Sequence, residues 1–457
     1  MHIHILGICG TFMTGIASMA QSLGHQVTGS DQNFYPPMSD ALRQLNIEVD
    51  ENYHPLQLDR RPDCCIVGNV MTRGHPVIEF MLDKKIPFKS GPQWLSENIL
   101  NDRFVIAVSG THGKTTTASM LSWILEDNGY SPGYLIGGIP NNFNSSARIG
   151  NSKYFVIEAD EYDTAFFDKR PKFIHYQPTI TIMNNLEFDH ADIYKNIDEI
   201  KWQFHQLVRI TPQSGKIIFN GTDENIHDVI KLGNWTPTET FGLKDNHDWL
   251  ANKMDENSIS IKHKNTISAG GPWNMSGSYN IENALAAIAA ANSIGITPAS
   301  SLESLASYKG VKRRLEKLVT ISNITIYDDF AHHPTSIKKT IEGINENHSH
   351  NRIIIAIEIR SNTMLSGAHN SALLESVKDA DSVVFFQSNK DKRSLEVSLE
   401  NQGLLDKNNM WMTYDIEVLA AKLISILRDD DTLIFMSNGD FCGAKELLIK
   451  QLDKLHV

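Results

Sequence analysis

Phe104 to Val108 is a short apolar run that leads directly into Gly110-Thr111-His112-Gly113-Lys114-Thr115-Thr116-Thr117. From Thr115 to Glu126 the residues carry a helical period, which closes near Asn128-Gly129. A strand that turns through glycines into a helix returns to a parallel neighbour, with the helix laid across the sheet face. The chain is thereby committed to an α/β layer structure. The same turn bears on chemistry. Backbone N–H groups of such a loop and helix N-terminus converge on an anion. Lys114 opposes β- and γ-phosphate charge, and the Thr115 hydroxyl is placed to ligate Mg2+. Val108 stands where the first glycine of G-x-x-x-x-G-K-[ST] would be, so an ordinary glycine turn capping a helix is the competing reading. Strand, glycines, Lys and Thr in this order favour phosphate.

Two further cycles of the same kind flank this one. His2 to Leu6 is a strand, Gly7-Ile8-Cys9-Gly10 a turn, and Phe12 to Leu23 a helix. Strands at Val27–Ser30 and near Cys65–Val67 follow. After the middle cycle, with strands at Tyr154–Glu158, Ile180–Met183 and Lys216–Phe219, the turn-rich stretch Lys244–Gly271 suits short antiparallel strands or an excursion. An Ala-rich helix is expected over Ile281–Ala291. The third cycle has strands at Ile324–Tyr327, Ile353–Ile357, Val383–Phe386 and Leu433–Met436. At roughly 150 residues per domain, 457 residues make about three domains. The boundaries fall at 1–103, 104–312 and 313–457.

Forty-two Lys and Arg against 54 Asp and Glu leave a net charge of −12, which argues against a general grip on nucleic acid or anionic lipid. No apolar run approaches the ~18 residues of a membrane span. The first basic side chain is Arg43, so neither a secretory nor a transit leader is expected, and the chain reads as cytoplasmic. Cys9, Cys64, Cys65 and Cys442 lack C-x-x-C spacing and are expected to be buried and reduced.

Three more motifs sit at strand ends. Glu158-Ala159-Asp160-Glu161-Tyr162-Asp163 is either a solvated acidic loop or, beside a phosphate turn, a source of metal carboxylate. Asn184-Asn185-Leu186-Glu187-Phe188-Asp189-His190 offers His190, a second-metal ligand or a structural histidine. Gly7 to Thr11, with Asp31 after the next strand, reads G-x-x-G. That suits a nucleotide diphosphate at a helix N-terminus, or a tight turn needing no ligand.

Taken in order, the opening glycine turn, residues 110–117, Glu158–Glu161, Asn185–His190, Tyr279–Ala284, Lys312–Glu316 and Asp328-Asp329-Phe330-Ala331-His332-His333-Pro334 resemble the Mur ligase family. Its members are ATP-dependent enzymes that join amino acids or peptides to UDP-N-acetylmuramic acid. The resemblance implies three α/β domains: a Rossmann-like UDP-binding domain, a central P-loop ATPase-like domain and a C-terminal Rossmann-like domain for the incoming peptide. It implies that Gly110, Thr111, His112, Gly113, Lys114, Thr115 and Thr116 hold ATP. Thr115 and Glu158 would hold Mg2+, with His190 at a second Mg2+. Asn280 and Asn283 would meet adenine, Arg314 the γ-phosphate and Asp329 the ribose. Gly7, Gly10, Thr11 and Asp31 would hold UDP. Catalytic roles fall to Lys114, Glu158, His190 and Arg314.

Gly7–Met13, Gly68–Gly74, Glu161–Asp168 and Arg360-Ser361-Asn362-Thr363-Met364 resemble the peptidoglycan-recycling subgroup, which attaches the intact tripeptide L-alanyl-γ-D-glutamyl-meso-diaminopimelate. Arg360, Ser361 and Asn362 would then hold the peptide. A guanidinium just past a strand suits bidentate carboxylate recognition, although a surface Arg at a strand end is equally compatible. The lactyl carboxylate of UDP-N-acetylmuramate would attack the γ-phosphate, and the acyl phosphate would meet the peptide amine. Three alternatives stand beside this reading: an L-alanine-adding ligase, an NAD-dependent oxidoreductase using Gly7–Asp31, and a nucleotide-controlled binding protein without turnover.

Overall fold

A computed structural model describes all residues except 35–36, 190–192, 245, 256, 348–350, 368, 389–393, 406–408 and 456–457. It divides into two compact units. One comprises Met1–Phe188, Asn196–Asn274 and Glu282–Gly310, the other Asp189–Lys195, Met275–Ile281 and Val311–Val457.

The first unit holds two large sheets. Five parallel strands run in the order Glu48–Asp50, Gln26–Ser30, His2–Leu6, Cys64–Val67, Phe88–Ser90. The order reverses beside His2–Leu6, so the turn after that strand opens where a ligand crevice belongs. Helix Thr11–Ser22 follows the turn. The second sheet has ten strands. Its centre is parallel, with Lys216–Asn220, Ile180–Met183, Phe104–Ser109, Tyr154–Glu158 and Gly133–Leu135 side by side. At one edge Trp249–Asp255 pairs parallel with Thr238–Gly242, and Ser258–His263 and Thr266–Pro272 follow it as antiparallel neighbours, the kind of pairing that the turn-rich composition of 244–271 suggested. Ala147–Arg148 closes the other edge.

Helix Thr11–Ser22 carries Gly15 where a Cβ would collide with Leu135 and lie 3.0 Å from the Ala147 Cβ. Glycine there lets the helix approach those two strands of the larger sheet closely. The helix after the phosphate-type turn spans Lys114–Asp127, one residue longer at each end than its apolar period.

The second unit is built on six strands in the order Glu316–Ile321, Ile324–Asp329, Thr432–Met436, Ile353–Glu358, Ser382–Phe386, Met410–Thr413, parallel except for the first pair. Ile353, Ile355 and Ile357 join one apolar cluster and Ile354 and Ala356 another. A strand covered on both faces reads as a continuous apolar run, which is why Ile-Ile-Ile-Ala-Ile shows no alternation. The strand Glu316–Ile321, polar and half exposed, had no such signal.

The four cysteines are not all buried, contrary to expectation. Cys64 and Cys65 are buried, but Cys9 is half-buried and Cys442 exposed. Cys442 lies in a short 3-10 turn after the last strand, outside any periodic element that could have shown its burial.

Candidate functional site

The turn Gly110–Lys114 is shaped by glycine. Gly110 has φ +128° and Gly113 φ +80°, and a Cβ at Gly110 would lie 3.0 Å from the Asn185 carbonyl and 3.1 Å from Asn184. Only glycine fits such a backbone against a neighbouring segment. That segment, past strand Ile180–Met183, grips the turn. The Thr111 N–H donates to the Asn185 carbonyl at 3.0 Å and the His112 N–H to Asn185 Oδ1 at 2.7 Å. Asn185 Nδ2 returns a bond to the His112 carbonyl at 3.1 Å, and the Glu187 N–H donates to Thr111 Oγ1 at 2.9 Å. His112 Nε2 lies 3.5 Å from Glu187 Oε2.

Lys114 Nζ donates to the Gly110 carbonyl at 2.7 Å and pairs with Glu161 Oε2 at 3.0 Å. Burial disfavours the ammonium, but Glu161, Asp160 and Glu158 outweigh it and hold Lys114 charged, with its pKa above the ordinary lysine value. Thr115 Oγ1 donates to Glu158 Oε1 at 3.1 Å, and the Gly137 N–H to Glu158 Oε2 at 2.7 Å. Thr116 is half-buried in the same first turn. Asn283 Oδ1 accepts from Thr117 Oγ1 at 3.1 Å and crowds Gly113, while Asn184 Nδ2 donates to Thr117 Oγ1 at 2.9 Å. The first unit therefore brings Gly110–Thr116, Glu158 and Asn283 together. His190 lies outside the described residues.

The opening turn is the second site. Gly7 has φ +81°, and its N–H donates to the Ser30 carbonyl at 2.9 Å. Gly10 is the N-cap of helix Thr11–Ser22. Asp31 is buried, with Oδ2 accepting from the Cys9 N–H at 2.8 Å and Oδ1 from the Tyr53 hydroxyl at 3.2 Å. Burial and Asp31 raise the Cys9 thiol to about 12, so it is inert at neutral pH. Neither this helix nor Lys114–Asp127 has a side-chain cap or an acidic residue in its first turn. Helices Ile197–Ile210, Glu224–Lys231 and Pro298–Ala306 are capped by Asn196, Asp223 and Thr297. Uncapped first turns leave N–H groups and dipole for an anion.

In the second unit Asp329 ends its strand, buried. Its Oδ2 accepts from the Leu315 N–H at 2.6 Å and its Oδ1 from the Ala331 N–H at 2.8 Å. Burial raises the Asp329 pKa, against the pull of Arg314 and the two N–H donors. The Arg314 guanidinium lies 4.8 Å from the Phe330 ring centroid, a cation–π distance. Tyr279, half-buried, has its phenol pushed up by desolvation and by Asp329, and Asn280 Nδ2 donates to the Ser276 carbonyl at 2.7 Å. Arg360 is exposed and packs over Gly439, where a Cβ would collide with it. Ser361 caps the short helix Asn362–Ser366 through the Met364 N–H at 3.3 Å. The Asn362 side chain lies outside the described residues.

Three residues of these sites carry no distinguishing signal in the sequence. Glu161, the Lys114 partner, stood inside a recognised acidic run with nothing to single it out. Asn184, one residue before Asn185, carried an equally weak signal. Tyr53, on Asp31, lies in a stretch without periodicity.

Three family models match consecutive segments: "Mur ligase family, catalytic domain" at 2–103, "Mur ligase middle domain" at 108–291 and "Mur ligase, glutamate ligase domain" at 313–439. The chain is 44% identical over 458 residues to a protein of Haemophilus influenzae and 45% over 457 residues to one of Escherichia coli K12. Each alignment covers 99% of both partners, and each relative is named UDP-N-acetylmuramate–L-alanyl-γ-D-glutamyl-meso-2,6-diaminoheptandioate ligase. The crystal structure of a murein peptide ligase from Psychrobacter arcticus superposes with a TM-score of 0.79 at 40% identity, covering 99% of this chain and 98% of that one.

Proposed function

The chain belongs to the Mur ligase family, and we propose that it joins L-alanyl-γ-D-glutamyl-meso-diaminopimelate to the lactyl carboxylate of UDP-N-acetylmuramate. ATP would be consumed and ADP and phosphate released, in the cytoplasm, as a step of peptidoglycan recycling. The observation that carries this reading is identity of 44–45% along the full length to two ligases of that name. We assign the UDP-sugar to residues 1–103, ATP to 104–312 and the peptide to 313–457.

A carboxylate does not condense with an amine in water, because oxide is a poor leaving group. Transfer of the γ-phosphoryl to the lactyl carboxylate gives an acyl phosphate whose leaving group is phosphate. The uncapped turn Gly110–Thr116 binds the triphosphate through backbone N–H groups. Lys114, already charged, turns from Glu161 to the phosphates and offsets the charge that spreads during transfer. To Arg314 we assign the γ-phosphate, to Asp329 the ribose, and to Asn280 and Asn283 adenine. Gly7, Gly10, Thr11 and Asp31 hold the UDP diphosphate and its neighbourhood, and Arg360, Ser361 and Asn362 the peptide. The Thr115 hydroxyl and the Glu158 carboxylate, which forms no ion pair among the described residues, are the hard oxygen donors that suit Mg2+. We assign a second ion to His190. Bound Mg2+ supplies positive charge against the phosphoryl oxygens. The incoming α-amine, with an ordinary pKa of about 7.7–8.0, is partly neutral at cytoplasmic pH and needs no strong base.

Purified protein supplied with UDP-N-acetylmuramate, ATP and magnesium, plus either tripeptide or L-alanine, tests this directly. Phosphate release is expected with tripeptide. Release driven by L-alanine instead would overturn the assignment of acceptor.

A further inference from the structure

We propose that Lys172 is a positioning residue that neutralises Asp160, so that of the acidic run Glu158–Glu161 one carboxylate, Glu158, stands without an ion pair among the described residues beside the triphosphate turn. The inference rests on the reading of Gly110–Lys114 as that turn. Three carboxylates crowd into four residues at the end of strand Tyr154–Glu158. Among the described residues two ammonium groups pair with them. Lys114 pairs with Glu161 at 3.0 Å and Lys172 with Asp160 at 2.8 Å. Among the described residues Glu158 accepts from the Thr115 hydroxyl and the Gly137 N–H and forms no ion pair.

The place of Lys172 is built by the fold. Its side chain is 12% exposed, and its N–H donates to the Tyr162 carbonyl at 3.0 Å. Its ammonium lies 5.7 Å from the ring centroids of both Tyr162 and Phe12, the latter in the first turn of helix Thr11–Ser22. The antiparallel pair Asp163–Ala165 and Asp168–Pro171 returns the chain to Asp160. At its tip Phe166 and Phe167 pack on Phe88, with centroids 6.3 and 5.0 Å away. Lys172 thus stands between the opening turn's helix and the carboxylates beside Lys114.

The consequence is electrostatic. An arriving triphosphate brings several negative charges and draws Lys114 from Glu161, which leaves Lys172 as the ammonium holding the run in balance. Without it, each unit of net negative charge left on the bound triphosphate, on the order of 10 Å from the Asp160 carboxylate, would weaken binding by at least roughly tenfold at an effective dielectric near 20.

The experiment compares Lys172→Met, Lys172→Gln, Lys172→Arg, Asp160→Asn and the double variant Asp160→Asn/Lys172→Met. Calorimetric binding of a non-hydrolysable ATP analogue with magnesium is measured alongside kcat and KM for ATP. Lys172→Met and Lys172→Gln are expected to weaken analogue binding and raise KM for ATP at least about tenfold, while Lys172→Arg stays within threefold of wild type. The double variant is expected to bind within threefold of Asp160→Asn alone, because the carboxylate that Lys172 balances is then gone, a recovery that a packing role would not produce. Analogue binding unchanged in Lys172→Gln, or a double variant no better than Lys172→Met, would overturn the proposal. Failure of the wild type to bind the analogue would instead overturn the reading of the triphosphate turn.

Discussion

Lys114→Met separates what the lysine does for the fold from what it does for the reaction. Methionine keeps most of the stem volume and removes the charge. The Glu161 side chain is 2% exposed and that of Lys114 11%, so solvent screens the pair little. Breaking one side of a buried pair costs about 3–5 kcal/mol, because the remaining charge stays buried. The neighbouring Lys172 ammonium, 2.8 Å from Asp160, softens this toward about 3 kcal/mol. At a few degrees per kcal/mol, melting should fall by roughly 6–12 °C. Adding Glu161→Gln to Lys114→Met should restore most of that loss, because the buried carboxylate that lost its ammonium is then neutral. Neither variant should release ADP, while UDP-N-acetylmuramate binding by calorimetry should stay within threefold. Scanning calorimetry at pH 7.5 with a parallel ADP assay tests both halves. The reasoning fails if Lys114→Met melts with wild type, or if the double variant is no more stable than the single.

Other perturbations probe other parts of the molecule. Thr115→Val removes the hydroxyl that reaches Glu158 at 3.1 Å. The magnesium concentration for half-maximal rate should rise at least about tenfold, read from activity against magnesium, with UDP-N-acetylmuramate affinity unchanged. His4 is buried between Thr28 and Ser30, 2.9 and 2.8 Å away, and burial pushes its pKa down to about 4. The unfolded chain takes that proton near 6.5, so between those values it binds more protons than the native state. Stability is therefore full above about pH 6.5 and declines toward pH 4 by up to about 3 kcal/mol. Urea midpoints at pH 7.5 and 5.0 should show the slope in wild type and a flatter one in His4→Asn. Gly15→Ala would gain up to about 1 kcal/mol in a free helix. Here the collision with Leu135 should reverse the sign, to a loss of about 1–3 kcal/mol in urea unfolding.

The strand–turn–helix at 104–127 was legible because its signals are local. Apolar residues mark the strand, positive-φ positions demand Gly110 and Gly113, and a 3.6-residue period marks the helix. Tyr154–Glu158 and Ile180–Met183 were found with the bounds the structure shows. The Ala-rich helix was found too, though it begins at Ser278, three residues before its apolar pattern. The strands Gly133–Leu135 and Glu316–Ile321 escaped, being respectively too short and too polar. Of the candidate site, Lys114, Thr115 and Glu158 stood out as residue types at strand and helix ends, and the ordered motifs pointed to the family.

What the residues alone determined was the succession of βα cycles and the identity of the groups at their ends, since periodicity, glycine torsion and charge are properties of neighbours in the chain. Only the tertiary structure decided which carboxylate meets which ammonium. Glu158, Asp160 and Glu161 are almost interchangeable along the chain, yet one faces Thr115, one Lys172 and one Lys114. The direction in which a side chain leaves the end of a strand is set by the helix and loop packed against it, and those arrive from segments 12 to 47 residues away. The same holds for Gly15, an ordinary weak point in a helix until Leu135 of the larger sheet is laid against it.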